Sequence, residues 1–419
     1  MNSTSMDDLN RLLTAMIQSG EGISDLLFVA GKPPQVELHG NLESPDLGPA
    51  AAPLTAERIE ALVEPIINSN GKLLRDLAQR GSCDCSYALG RLCRFRVNIY
   101  RQNGALAMVL RKLPSEIPSW ESLRLPPVFR DIVREKNGLV FVTGGSGNGK
   151  TTTLAALLNE INGHCKLHIV SLEDPIEFLH PQLQSTFSQR ELGRDFFSFP
   201  DGLRAALRQA PKVIFVGEIR DRETLEIALT AGETGHLVFT TLHTISASQT
   251  IHRIIGMFDK DEEQQVRERL AASLRYIIGQ RLVPGKDGAR LLVTELMGSS
   301  LRTREAIVMG ENDNRRLHDI IEAGSSNGWH SFEQCLLRSR EQDLITEETA
   351  MLYCVDKSKM RQRLDSARGG NQRVAAAAPS PMMVVAPAMS ESVSRPAAET
   401  VIKPEPHASV LKGMLNGFI

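Results

Sequence analysis

The run GGSGNGKTTT at 144–153 sets glycines, one lysine and three threonines between an apolar stretch, GLVFVT, and a helix-forming one, LAALLNEI. Gly144, Gly149, Lys150 and Thr151 complete the pattern G-x-x-x-x-G-K-[ST], and each part of it has a physical task. Glycine admits backbone with φ > 0 and lets N–H groups turn toward an anion. A helix expected to open near 149 aims its positive dipole end the same way. Lys150 supplies a mobile cation for the β- and γ-phosphates of a nucleotide, and Thr151 a hydroxyl for Mg²⁺. Gly145, Ser146, Gly147, Asn148 and Thr152 complete the expected nucleotide-binding set; none is bulky or apolar.

Hydrolysis asks for more than binding: a Mg²⁺ ligand and a group that orients water. In a parallel sheet the working residues lie just past the carboxyl ends of the strands. HIVSLEDPIEF brings Glu173, Asp174 and Glu177 to such an end, KVIFVGEIRD brings Glu218, and GHLVFTTLHT brings Thr241, His243 and Thr244. Acids, a histidine and the phosphate loop are therefore expected on one rim, as phosphoryl transfer requires. His236 and His243 stand an odd number of residues apart, on opposite faces of a straight strand, which argues against a shared metal.

The elements that must position these residues are legible in outline. Residues 1–113 read as a small α+β domain. It has a helix near 6–18, two strands around a Gly-Pro turn within ISDLLFVAGKPPQVELHG, a helix over 55–79 and a hairpin turning at Asn103-Gly104. Proline-rich 114–129 reads as a linker, with Pro114–Pro127 the hinge. From 130 to 310, short apolar runs at 139–143, 168–172, 213–216 and 237–241 alternate with helical patterns at 150–162, 201–209, 222–232 and 246–257. That alternation predicts a parallel sheet covered by helices. A helical subdomain over 311–367 and an Ala/Pro/Ser-rich tail over 368–419, expected to be disordered, complete the chain.

A formal net charge of −2 gives no bulk attraction to nucleic acid, and none is expected as a partner. Cys83 and Cys85 form one C-x-C with no second pair to complete a zinc ribbon, so the cysteines read as reduced thiols of a cytosolic protein. No apolar stretch approaches the ~20 residues of a membrane span.

At these motifs the sequence resembles the type IV pilus twitching-motility (PilT-type) retraction ATPases of the type II/IV secretion ATPase superfamily. GGSGNGKTT stands as Walker A, SLEDPIEF as the Asp box, LRQAPKVIFVGEIRD as the Walker B signature and TAGETGHLVFTTLHT as the His box. The resemblance implies a RecA-like P-loop core, an N-terminal PAS-like domain and a homo-hexamer using ATP and Mg²⁺. The expected place is the cytoplasm, peripherally on the inner membrane at the pilus base. The expected partners are a pilus platform protein and a paralogous motor ATPase. It also implies roles. Glu218 helps hold Mg²⁺ through water, and Glu177, with Glu173 in reserve, polarises the attacking water. His236 and His243 sense the γ-phosphate, while Arg94, Arg96 and Arg111 reach nucleotide from the N-terminal domain. CRFRV does place Arg94 and Arg96 on one strand face. The chain departs from the family at Pro211-Lys212, where Pro-Asp is usual, and at RTREAIVM (302–309), a degraded form of the retraction helix. The family's four-cysteine zinc motif of extension motors is missing, which favours retraction. The alternatives are an accessory subunit that regulates a partner pilus motor, or a secretion or DNA-uptake ATPase.

Overall fold

A computed structural model describes residues 3–376 except 68, 69, 91, 115 and 314. The tail expected to be disordered over 368–419 is helical at its start, where the helix Lys357–Ala376 runs on through 376; from 377 on it lies outside the described residues. The described residues up to 367 make one compact unit built on two sheets.

The first sheet holds β1 (Ile23–Phe28), β2 (Gln35–Leu38), β3 (Asn41–Glu43), β4 (Ser82–Leu89), β5 (Cys93–Gln102) and β6 (Ala105–Leu113), in the order β3-β2-β1-β6-β5-β4. All its pairings are antiparallel. Helices α1 (Ser3–Gln18), α2 (Ala56–Ile67) and α3 (Gly71–Arg80) supply the apolar residues that cover one face. Along β5, Cys93, Phe95, Val97 and Ile99 are buried there, so Arg94 and Arg96 fall on the uncovered face. The expected single helix over 55–79 is instead two. Asn70 stops it, accepting from the N–H groups of Lys72 and Leu73 at 3.0 and 3.3 Å as the N-cap of α3. The hairpin turn is where expected, with Asn103 and Gly104 at φ 49° and 80°.

The segment expected to be a linker is anchored on the second body from Trp120 onward. Trp120 meets Phe129 edge-on at 6.5 Å, and Leu125 and Phe129 (in α4, Phe129–Ile132) are buried in that body's core.

The second sheet contains β7 (Gly138–Thr143), β8 (His168–Glu173), β9 (Thr186–Glu191), β10 (Val213–Val216), β11 (Leu237–Leu242), β12 (Leu274–Pro284) and β13 (Arg290–Gly298). Their order is β13-β12-β7-β11-β10-β8-β9. The expected parallel sheet is present from β12 through β9, and β13 adds an antiparallel edge. Central β7, β10 and β11 are buried along their whole length, which explains their unbroken apolar runs. Helices α5 (Lys150–His164), α6 (Phe199–Ala206), α7 (Arg222–Glu233), α8 (Ala247–Ile255), α9 (Glu263–Ser273) and α10 (Leu301–Met309) accompany it. A further core joins β12 and β13, through Val283 and Val293, to Phe332, Leu336, Met360 and Leu364. These four lie in the helical region of α11 (Leu317–Ala323), α12 (Phe332–Glu341), α13 (Glu347–Tyr353) and α14 (Lys357–Ala376).

Candidate active site

β7 ends at Thr143, and the chain turns through Gly144, Gly147 and Gly149 at φ 147°, 77° and 76° into α5. A Cβ on Gly144 would sit 2.6 Å from the carbonyl oxygen of Gln280 on the neighbouring β12, so the loop runs where only glycine fits. Asn148 Oδ1 accepts the N–H of Leu282 at 3.2 Å and ties the loop to β12. Gly149 caps α5 with no side-chain bond, which leaves the first N–H groups of that helix for an anion. Lys150 is buried, its Nζ donating to the carbonyls of Gly144 and Gly145 at 2.8 and 3.0 Å. Burial pulls its pKa down, opposed by the carboxylates of Glu218 and Glu177.

The acids come from the carboxyl ends of β8 and β10. Glu173, the last residue of β8, is buried and accepts from Ser171 Oγ at 2.6 Å and Gln189 Nε2 at 3.1 Å. Burial pushes its pKa up to about 7 against those hydrogen bonds. Glu177 follows on the loop after β8. Burial raises its pKa too, while a hydrogen bond from Thr151 and the charges of Arg96 and Lys150 lower it. Glu218, past β10, accepts from or pairs with His243 Nε2 at 3.2 Å and is in contact with Arg220. Thr241 Oγ1 donates to the carbonyl of Gly217 at 2.7 Å and sets the turn that presents Glu218.

These groups surround a cavity of about 540 Å³ between the two sheets. Ser146, Gly147, Lys150 and Thr151 line it from the phosphate loop, Glu173, Asp174, Glu177, Glu218 and His243 from the strand ends, and Arg96 and Arg111 from the antiparallel sheet. A second cavity of about 550 Å³ shares Gly147, Lys150, Thr151 and Glu177, adds Thr152, and is walled by Leu123, Leu282, Leu292 and Arg290.

Two expected residues stand elsewhere. The register Leu237↔Gly138 and Leu242↔Thr143 puts His236 beside the start of β7 and His243 beside its end. Six strand residues separate the two histidines, roughly 20 Å. His236 is therefore on the amino rim, its Nδ1 on the carbonyl of Ala231 at 3.1 Å, at the opposite end of β11 from His243 and the glycine-rich loop. Arg94 does not open onto the cavity either: its Nη1 donates to the carbonyl of Ile176 at 2.7 Å. Arg111 does line the cavity while pairing with Asp25 at 2.9 Å.

Sequence reasoning passed over Arg220, Gln189 and Glu191. Arg220 touches Glu218 and lies 3.9 Å from Asp174. Its place two residues after the Walker B glutamate, in a loop expected on the working rim, was the available signal. Gln189 and Glu191 sit on β9, a short polar strand, TFSQRE, that leaves no apolar run to find.

Comparison with known proteins agrees with this architecture. Residues 94–378 match the family described as Type II/IV secretion system protein. The chain is 38% identical over 343 residues, 82% of its own length and 97% of the other's, to the type IV pilus retractation ATPase PilT of Pseudomonas aeruginosa. It is 37% identical to a twitching motility protein of Neisseria gonorrhoeae, over 82% of this chain and 89% of that one. Among solved structures, the pilus retraction motor PilT with bound ADP superposes with a TM-score of 0.76 at 37% identity, covering 84% of this chain and 98% of that one. The ATPase DotB of Legionella pneumophila gives 0.71 at 27% identity, over 83% and 94%.

Proposed function

This chain belongs to the Type II/IV secretion system protein family, and we propose that it is an ATP-hydrolysing motor that drives retraction of a type IV pilus. The observation that carries the reading is one cavity in which a phosphate loop, the carboxylates Glu177 and Glu218 and an arginine from the other sheet face each other.

ATP would lay its phosphates along 144–152 and its base in the adjoining cavity, against Leu123, Leu282 and Leu292. The residues present suit a magnesium ion: Thr151 and, through water, Glu218 would hold it, and it would neutralise charge on the phosphate oxygens. Glu177 is the better placed of the two glutamates to orient water. It lines both cavities beside Lys150 and Thr151, whereas Glu173 is buried with its Oε1 already engaged by Ser171 and Gln189. Arg96 adds positive charge where negative charge grows in the transition state. His243, in contact with Glu218, is the histidine positioned to respond to the γ-phosphate.

The family likeness supports the remaining parts of the reading. The core is RecA-like and the N-terminal sheet PAS-like. The chain acts as a homo-hexamer at the cytoplasmic face of the inner membrane, against a platform protein and alongside a paralogous motor. Among the described residues no helix is long and apolar enough to cross a membrane. Removing the Lys150 cation by Lys150→Ala should abolish steady-state phosphate release and leave thermal unfolding in place. Release at the parent rate would overturn the site. A subunit that only regulates another motor would instead bind ATP and release little phosphate as the parent protein.

A further inference from the structure

We infer that Arg94 and Glu191 are positioning residues for this reaction: they fix the peptide that carries Glu177, so that its carboxylate is in place only while the antiparallel sheet is seated on the loop 174–178. The inference rests on the ATPase reading above and gives Arg94 a task other than reaching nucleotide.

Arg94 is turned into the protein, its side chain 13% exposed. Nη1 donates to the carbonyl of Ile176 at 2.7 Å, and Nη2 to Glu191 Oε2 at 3.3 Å. The same carboxylate oxygen accepts the N–H of Ile176 at 3.2 Å. Both peptide groups that flank Ile176 are thereby held, one through its N–H and the other through its carbonyl. The second of these leads directly to the Cα of Glu177. Oε1 of Glu191 accepts the Ser86 hydroxyl, and the N–H of Glu191 donates to Asp195 Oδ2 at 2.8 Å. Ser86 and Arg94 belong to β4 and β5, while Glu191 closes β9. One buried carboxylate, 8% exposed, therefore joins both bodies at the foot of the catalytic loop.

The chemistry of the joint is directional. A planar guanidinium can address a carboxylate and a carbonyl at once in fixed geometry, which the point charge of a lysine does not reproduce. Arg96 lies two residues on, on the same face of β5, and lines the cavity. A single strand thus carries both the anchor of the Glu177 loop and the cation beside the Glu177 carboxylate. Any displacement of β5 from the loop removes both together. Nucleotide binding by 144–152 does not depend on this joint, whereas turnover does.

The test uses the full-length protein with Arg94→Lys and Glu191→Gln, two variants that keep a polar group of similar size in the buried position, each checked by thermal unfolding. We expect affinity for a fluorescent ATP analogue to stay within about twofold of the parent while kcat falls by about a hundredfold. We also expect faster amide exchange at Ile176 and Glu177 with exchange over 144–152 unchanged. Parent values of both kcat and exchange in the variants would overturn the inference. So would loss of ATP affinity with kcat retained, which would put Arg94 on the nucleotide. If the parent protein itself releases no phosphate, the ATPase reading fails, and the exchange comparison still decides whether this joint holds the loop.

Discussion

Glu177 is held between opposing influences, and its pH response follows from them. Burial raises its pKa; Thr151, Arg96 and Lys150 lower it. A carboxylate that orients water must be ionised, so kcat should rise with pH through the Glu177 titration. Removing a neighbouring cation disfavours the ionised form. Arg96→Ala should therefore shift the acid limb of the kcat profile to higher pH, measured by phosphate release across a pH series. Glu177→Gln should lower kcat by roughly 10²–10⁴-fold with ATP binding retained, the range for loss of a general base. Glu173 makes a stability prediction instead. Its folded pKa, about 7, lies above its ordinary 4.5, so between those values the native state keeps a proton that the unfolded chain has released. Stability therefore falls as pH rises through that window. Glu173→Gln should remove the fall, on the order of a few kcal/mol by linkage, read as a melting temperature that declines less than the parent's between those pH values. The glycine-rich turn from β7 into α5 was legible in the sequence because its residues are contiguous. The partners of Glu173 and Glu218 were not, because Gln189 and Arg220 take their roles only from contacts made across strands and loops.

Elements were legible where one physical signal dominated. The buried strands of the second sheet announce themselves as Val/Ile/Phe runs, and the Asn103-Gly104 turn as a φ > 0 pair. Signals that mix failed. β12 and β13 interleave Gln280, Arg281, Thr294 and Glu295 with apolar residues, because one part of each strand faces the sheet's helices and another the core shared with α12 and α14. The helix break before α3 was hidden because its cap is a single asparagine. Asn70→Ala should cost about 1 kcal/mol, the usual loss for such a cap, seen as a lower denaturant midpoint. A sharper element-scale test lies at the seat of Trp329. A Cβ on Gly324 would stand 2.5 Å from the indole Cε3, and one on Gly298 2.5 Å from its Cε2, Cζ2 and Nε1. Trp329 is 6% exposed and has no room to retreat. Gly324→Ala should therefore destabilise by about 1–3 kcal/mol, as overpacking does, with a quenching or spectral change in tryptophan emission.

At the scale of the whole molecule, the cavity belongs to neither sheet alone, and this is why the sequence could name its residues without placing them. Arg94, Arg96 and Arg111 look equivalent as a set. The register of β5 and β6 and the docking of their face separate them into a loop anchor, a cavity cation and a partner of Asp25. His236 and His243 look like a pair until strand pairing sends them to opposite rims. If the two bodies clamp nucleotide by charge, binding must be felt in both. A non-hydrolysed ATP analogue at 100 times its Kd should stabilise the protein by about 2.7 kcal/mol through mass action. Amide exchange should show where that stabilisation goes. In the parent protein, protection should increase over 144–153, which supplies the phosphate contacts, and also over β5 at 93–102, which carries Arg96 to the cavity. In Arg96→Ala the first increase should persist, because the loop, Lys150 and the α5 amides are intact, while the second is lost. Persistence of the β5 protection would move the clamp to Arg111, which lines the same cavity but is already paired with Asp25 and would have to exchange that partner for phosphate.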